Sequence, residues 1–310
     1  VKGLADGSIA VVKRVADWWF APAPAERLAM LRIAIGAFAL MWVVLRLQEF
    51  HAVAGLPESH FAPVGIVRVL FDAPISPSLV FAIAIATGVV LAAFVLGVAY
   101  RITAPLAAAA LLFTLSYRNS WGMPFHTENL LVLHVIALAF APAADAWAVA
   151  RKPRAAGAGY GWAIKLLVAL TAATYVLAGI AKLRIAGFGW IDGELLRNQI
   201  AIDNLRKALL GDPIAPLATP FLDHPRVFTA FCAMTLVLEL GAPIALLGGR
   251  IGRLWAAGAW GFHLGVVLLM NIWFPYPLFG FAFLPLLRAE RPVAWLIGWW
   301  QKRKASHGNG

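Results

Sequence analysis

The chain has 310 residues, of which 62% are hydrophobic and 13% charged; its mean hydropathy is +0.79 and its formal charge +11. In soluble domains about a quarter of residues are charged, so this composition excludes an ordinary soluble domain and implies an all-α, polytopic membrane protein. The basic excess reads as loop lysines and arginines beside anionic lipid, not as a nucleic-acid surface, since no RNA- or DNA-type motif accompanies it. Cys232 is the single cysteine and lies in an apolar run, which leaves it a packing role and excludes an intramolecular disulfide or a cysteine-based metal cluster.

In chain order, residues 8–20 are too short and too charged to span but end in Trp18, Trp19 and Phe20, the pattern of an interfacial helix. No short apolar segment with a cleavage site is seen, so no cleavable signal peptide is expected. Pro22 and Pro24 end this helix, and an apolar run from Leu28 to Leu47 follows despite Arg32. The segment from Glu49 to Pro77, with prolines at 57, 63, 74 and 77, reads as a loop with room for one short helix. Ser78–Tyr100 and Ile102–Tyr117 read as a hairpin turning at Arg101. Leu130–Trp147 and Trp162–Leu183 follow, then a long polar interval, 184–226, with a helix near Leu195–Leu210. Val227–Gly249 and Leu254–Phe274 predict two spans joined at Arg250–Arg253, and Pro275–Leu287 a last one that crosses at a tilt or re-enters.

This predicts a bundle of about eight transmembrane helices. The organisation expected is an interfacial segment over 1–27, a transmembrane domain over 28–290 and an interfacial anchor with a basic tail over 291–310. With eight crossings, the side holding both termini carries 15 lysines and arginines and the other side seven. The positive-inside rule then puts both termini in the cytoplasm and 119–129 and 184–226 outside the plasma membrane.

The stretch from Thr174 to Gly193 runs out of an apolar helix into a polar turn and carries a lone lysine, Lys182. At helical spacing Tyr175, Gly179 and Lys182 share a face, so an amine sits near a phenol, with a glycine opening room for a ligand or a neighbouring helix. The alternative is a lysine that closes a span by snorkelling to the interface and complementing the helix C-terminus. Arg32, Arg46 and Lys165 read as snorkelling cations near span ends. Glu239 and His263 lie deep in their spans and are expected to pair with each other across the hairpin. No G-x-S-x-G, H-E-x-x-H or P-loop occurs. His126 and His134 are two helical turns apart, roughly 12 Å, so no metal centre is expected.

The run Tyr175-Val-Leu-Ala-Gly-Ile-Ala-Lys182-Leu followed by Gly189-Trp190-Ile-Asp-Gly193 resembles the vitamin K-dependent gamma-glutamyl carboxylase, with its tyrosine, Ala-Gly, Lys-Leu and Trp-x-x-Gly. Three further pieces agree in order: Tyr100-Arg101-Ile102, Ser120-Trp121 through His126, and Phe262-His263 with Phe274-Pro275-Tyr276. The resemblance extends over about 28–288 and corresponds to the HTTM domain, the membrane portion of such proteins.

The resemblance implies that Lys182 is the base that deprotonates a reduced vitamin K-type quinone, which then reacts with O2, and that His126 is a second catalytic residue. It implies that Tyr175, Gly179, Trp190 and His263 line the quinol site, with membrane lipid and an unidentified substrate as partners. Phe125 stands where the carboxylase has asparagine, Ala181 where it has the first of two lysines, and no Asn-Ser follows His263. The large luminal part that holds the carboxylase's protein substrate has no counterpart in these residues. A quinol-dependent lyase-like reaction on another substrate is the expectation; a non-catalytic scaffold, immunity or secretion-helper protein is the alternative.

Overall fold

The computed structural model describes residues 2–122, 126–149 and 157–307, and these are helical apart from turns and one isolated bridge between Ala23 and Gly157. The α-helices are α1 (Lys2–Trp19), α2 (Ala25–Val44), α3 (Leu47–Ala54), α4 (Gly65–Leu70), α5 (Pro77–Leu96), α6 (Tyr100–Arg118) and α7 (Asn129–Ala139). They continue as α8 (Ala158–Ala186), α9 (Glu194–Leu210), α10 (Ala218–Leu222), α11 (Pro225–Leu240), α12 (Gly249–Met270), α13 (Pro275–Leu278) and α14 (Glu290–His307). Two compact units form, one from Val1–Leu167 with Leu287–Gly310 and the other from Val168–Leu286.

Four helices among the described residues are long and apolar enough to cross a bilayer: α2, α5, α8 with its 3₁₀ extension to Asp192, and α12. The expected eight are therefore corrected to four candidates. Helix α7 has 11 residues and α11 has 16, about 17 and 24 Å at 1.5 Å per residue, against a hydrocarbon core of about 30 Å. Helix α6 has Tyr-Arg at both ends and an internal Pro105. The last apolar piece is broken by Pro275, Pro277, Gly280 and Pro285 into α13 and a 3₁₀ turn, Phe281–Leu286. The sidedness count, and with it a common outer face for Lys182 and His126, loses its basis in eight crossings.

Turn chemistry moves two boundaries. The α5–α6 turn lies at Gly97 and Ala99, both left-handed, so Arg101 is already helical. Chain reversal after α11 uses Gly241, a 3₁₀ turn over Ala242–Leu247 and the left-handed Gly248, so Arg250–Arg253 opens α12 instead of turning.

The core of the first unit is α2 on α5, α5 on α6 and α6 on α7, with Ile35, Leu91, Phe94, Ala104, Leu111, Val135 and Leu138 buried. A Cβ at Gly36 would lie 2.8 Å from the Phe94 ring, which is how α2 and α5 approach so closely. Arg32 corrects the snorkelling expectation. It is fully buried and donates through Nη1 to the Ala143 carbonyl at 2.7 Å and through Nη2 to that of Trp147 at 2.5 Å. The turns after α7 leave carbonyls without helical partners, and the guanidinium fork satisfies them.

Candidate functional site

Within the second unit, the face of α8 bearing Tyr175, Gly179 and Lys182 meets α11 and α12. Tyr175 is buried and its hydroxyl lies 2.8 Å from His263 Nε2 on α12. Its ring is edge-on to Trp255 at 5.1 Å, and His263 in turn sits beside Phe274 at 5.3 Å. One turn along, Gly179 lets α11 close in: a Cβ there would stand 2.9 Å from Leu240 Cδ2 and 3.1 Å from Glu239 Cβ. The glycine thus makes room for a neighbouring helix, the second of the two roles expected for it.

That close approach places Glu239 against Lys182, and the two form a short ion pair, the carboxylate 2% and the lysine side chain 21% exposed. The numbers decide between the readings of Lys182: the amine turns inward to a carboxylate instead of snorkelling. Its Nζ also lies 5.5 Å from the centre of the Trp190 ring, within cation–π range. Trp190 is set by the 3₁₀ turn Gly187–Asp192 and packs with Cys232 and Leu236 of α11. Left-handed Gly193 follows, where a Cβ would strike the α11 backbone at Thr229 N, 2.5 Å away.

Glu239 and His263 do not pair with each other. A regular hairpin would match their depths, but α11 ends one residue after Glu239 and the 3₁₀ turn intervenes before α12 begins. Instead there are two dyads, Lys182–Glu239 and Tyr175–His263, seven residues apart on α8. Each keeps a buried polar atom without a partner: Glu239 Oε2 and His263 Nδ1, joined by Trp190 Nε1 beside Lys182. Native interiors leave few such atoms, and two of these, Glu239 Oε2 and Trp190 Nε1, belong to side chains that both meet Lys182.

His126 belongs to the first unit, exposed ahead of α7; Phe125 lies outside the described residues. Near it in sequence, Glu128 is buried and accepts from Arg118 Nη1 at 3.3 Å, while Arg118 Nε donates to Glu49 at 2.6 Å. Arg46 stacks 3.3 Å from the centre of the Trp42 ring and Lys165 donates to the α1 carbonyls of Trp18 and Trp19, so neither snorkels freely. Sequence reasoning missed the roles of Glu49 and Arg118; their sixty-nine-residue separation carries no periodic signal. No three His, Cys, Asp or Glu side chains come together as a metal site among the described residues.

The HTTM domain model matches residues 20–289, most of the chain. The chain belongs to the HTTM domain family. No curated protein and no solved structure matches it. An HTTM assignment, with four long apolar helices, makes this an integral membrane protein, and the ordered motifs around Lys182, Trp190 and His263 all fall inside the HTTM region.

Proposed function

We propose that this HTTM protein is a quinol-dependent membrane enzyme in which Lys182 is the base, held and discharged by Glu239. The observation that carries the reading is the Lys182–Glu239 pair, whose Glu239 Oε2 and neighbouring Trp190 Nε1 are unpartnered, with His263 Nδ1 unpartnered on the second dyad about two turns along α8. These atoms fit a flat ring bearing hydroxyl or carbonyl oxygens: an indole N–H donates to an oxygen, a carboxylate oxygen accepts a hydroxyl proton, and an imidazole nitrogen does either according to tautomer. A reduced vitamin K-type quinone, when bound, supplies ring hydroxyl protons and the electrons that reduce O2.

In this reading Trp190 and His263 orient the ring, and the aromatic surround of Trp255, Phe274 and Phe283 excludes water. Glu239 takes the extra proton of the Lys182 ammonium, and the free amine accepts a proton from a bound hydroxyl. Tyr175 fixes the His263 ring through Nε2 and so decides what Nδ1 offers. The family resemblance adds His126 as a second catalytic residue. The test is equilibrium binding of an isoprenoid naphthoquinol to the purified protein in lipid. Saturable binding weakened in Trp190→Phe and His263→Gln is expected, with His126→Gln losing turnover but not binding; absence of saturable binding by the wild type overturns the proposal.

A scaffold reading has one observation in its favour, the same ion pair, because an ammonium and carboxylate that neutralise each other need no ligand. It predicts that Lys182→Met combined with Glu239→Gln leaves cellular function intact.

The proposed location is the plasma membrane with both termini cytoplasmic. Four crossings return the chain to its starting side, and with Arg118 counted beside its partner Glu49, that side holds 12 lysines and arginines outside the spans against seven on the other. An impermeant thiol reagent added outside intact cells should label Asp212→Cys and not Lys13→Cys in a Cys232→Ser background. The reverse pattern contradicts the orientation.

A further inference from the structure

Helix α9 turns two polar side chains toward the protein: Asn204 is buried and donates through Nδ2 to the Leu269 carbonyl at 3.1 Å, Lys207 donates to the Met270 carbonyl, and Asn204 Oδ1 accepts from Ala215 N at 2.7 Å. These bonds satisfy carbonyls of the last turn of α12 and fix the rotation of α9 about its axis. Ile200, on the same face, is fully buried against Phe228 of α11.

The opposite face carries exposed apolar side chains, with the exposed Asn198 among them. Leu195, Ile202, Leu205 and Leu209, at spacings of seven, three and four, form one stripe with exposures of 46%, 66%, 60% and 79%. In water each such side chain forgoes about 1.5–3 kcal/mol of burial, and the inward hydrogen bonds prevent α9 from rolling to hide them. The helix is too polar overall to span a bilayer, with Glu194, Arg197, Asp203, Arg206 and Lys207 in its 17 residues.

What covers the stripe follows from what it continues. Helix α8 ends its apolar run with Ile185 at 83% and Phe188 at 80% exposure, and the chain passes from there through Gly193 directly into α9. An exposed apolar surface that leaves a candidate span and runs along the next helix is the signature of the acyl-chain boundary. We infer that α9 lies in the plane of the membrane interface, its Leu195–Ile202–Leu205–Leu209 stripe in the acyl chains of the leaflet reached by the C-terminal end of α8. The occupant is lipid. The interval 184–226, an extramembrane loop by composition, then contains an interfacial helix whose polar face clamps the end of α12.

The experiment is site-directed spin labelling of the full chain in lipid vesicles, with single cysteines at 202, 205 and 209 and a control at Asp212, exposed just past the helix. Cys232 is replaced by serine; because it is fully buried, a parallel set retains it. The three stripe positions should show a ratio of oxygen to nickel-chelate accessibility several-fold above that of the control. A ratio equal to that of the control overturns the inference. So does strong coupling between labels at 205 that vanishes on dilution with unlabelled protein, which would assign the stripe to a second copy of the chain.

Discussion

Arg32 in α2 and Lys182 in α8 are both cations set within long apolar helices, and the protein satisfies them in opposite ways. Arg32 meets no carboxylate among the described residues; its two terminal nitrogens donate to backbone carbonyls of the 140–147 turns while its Nε is left without a partner, and a proton transfer cannot rearrange these hydrogen bonds. Lys182 meets a single buried carboxylate that has a second, unused oxygen, next to an indole and near a phenol–imidazole dyad. A guanidinium stays charged at any accessible pH, whereas an ammonium–carboxylate pair can redistribute its proton. The first arrangement holds a turn; the second can do chemistry.

The comparison breaks or sharpens under substitution. Lys182→Met strands Glu239 in the interior and should destabilise the protein by about 3–5 kcal/mol. Adding Glu239→Gln should recover most of that loss, a non-additivity readable by thermal melting in detergent. Arg32→Met should cost about 3 kcal/mol through its two short carbonyl bonds, at about 1–3 kcal/mol for each orphaned acceptor. No second side-chain substitution can rescue it, because its partners are backbone; a rescue would put Arg32 in the same class as Lys182.

Smaller effects follow. Gly179→Ala should cost about 1 kcal/mol, at the low end for overpacking, because the nearest atom is the mobile tip of Leu240. Tyr175→Phe should also cost about 1 kcal/mol by removing the bond to His263. The least effect belongs to an ion pair outside the spans. Burial raises the Asp203 carboxyl, but hydrogen bonds and charge from Lys207 and Arg206 outweigh it and hold the group below its ordinary range. A depressed folded value means the stabilisation is complete above the ordinary value, about 3.9, and is lost as pH falls through the lower one. Melting curves between pH 5 and 3 should therefore fall more steeply for the wild type than for Asp203→Asn.

Much of this was legible in the sequence. The Tyr175–Gly179–Lys182 face, the helix near 195–210 and the packing role of Cys232 follow from spacing and composition, which act locally. The partners of that face were not: pairing Glu239 with His263 assumed an ideal hairpin, and the Gly241–Gly248 turn shifted α11 so that the carboxylate met Lys182. Arg32 was misread because an arginine in an apolar helix gives no sign that carbonyls 111 residues away will need its donors. Eight spans were read where four are long and apolar enough, because apolar runs do not show that Pro142, Pro243 or Pro277 cuts the helix short.

The central claim, that Lys182 works as a base and does not merely neutralise Glu239, is tested most directly by quinol-dependent oxygen consumption in Lys182→Arg. Arginine keeps the positive charge beside Glu239 but cannot give up its proton. The account predicts a fold that melts close to the wild type and a rate lower by about 10²- to 10⁴-fold, the usual cost of losing a positioned base. Wild-type oxygen consumption in Lys182→Arg would contradict it.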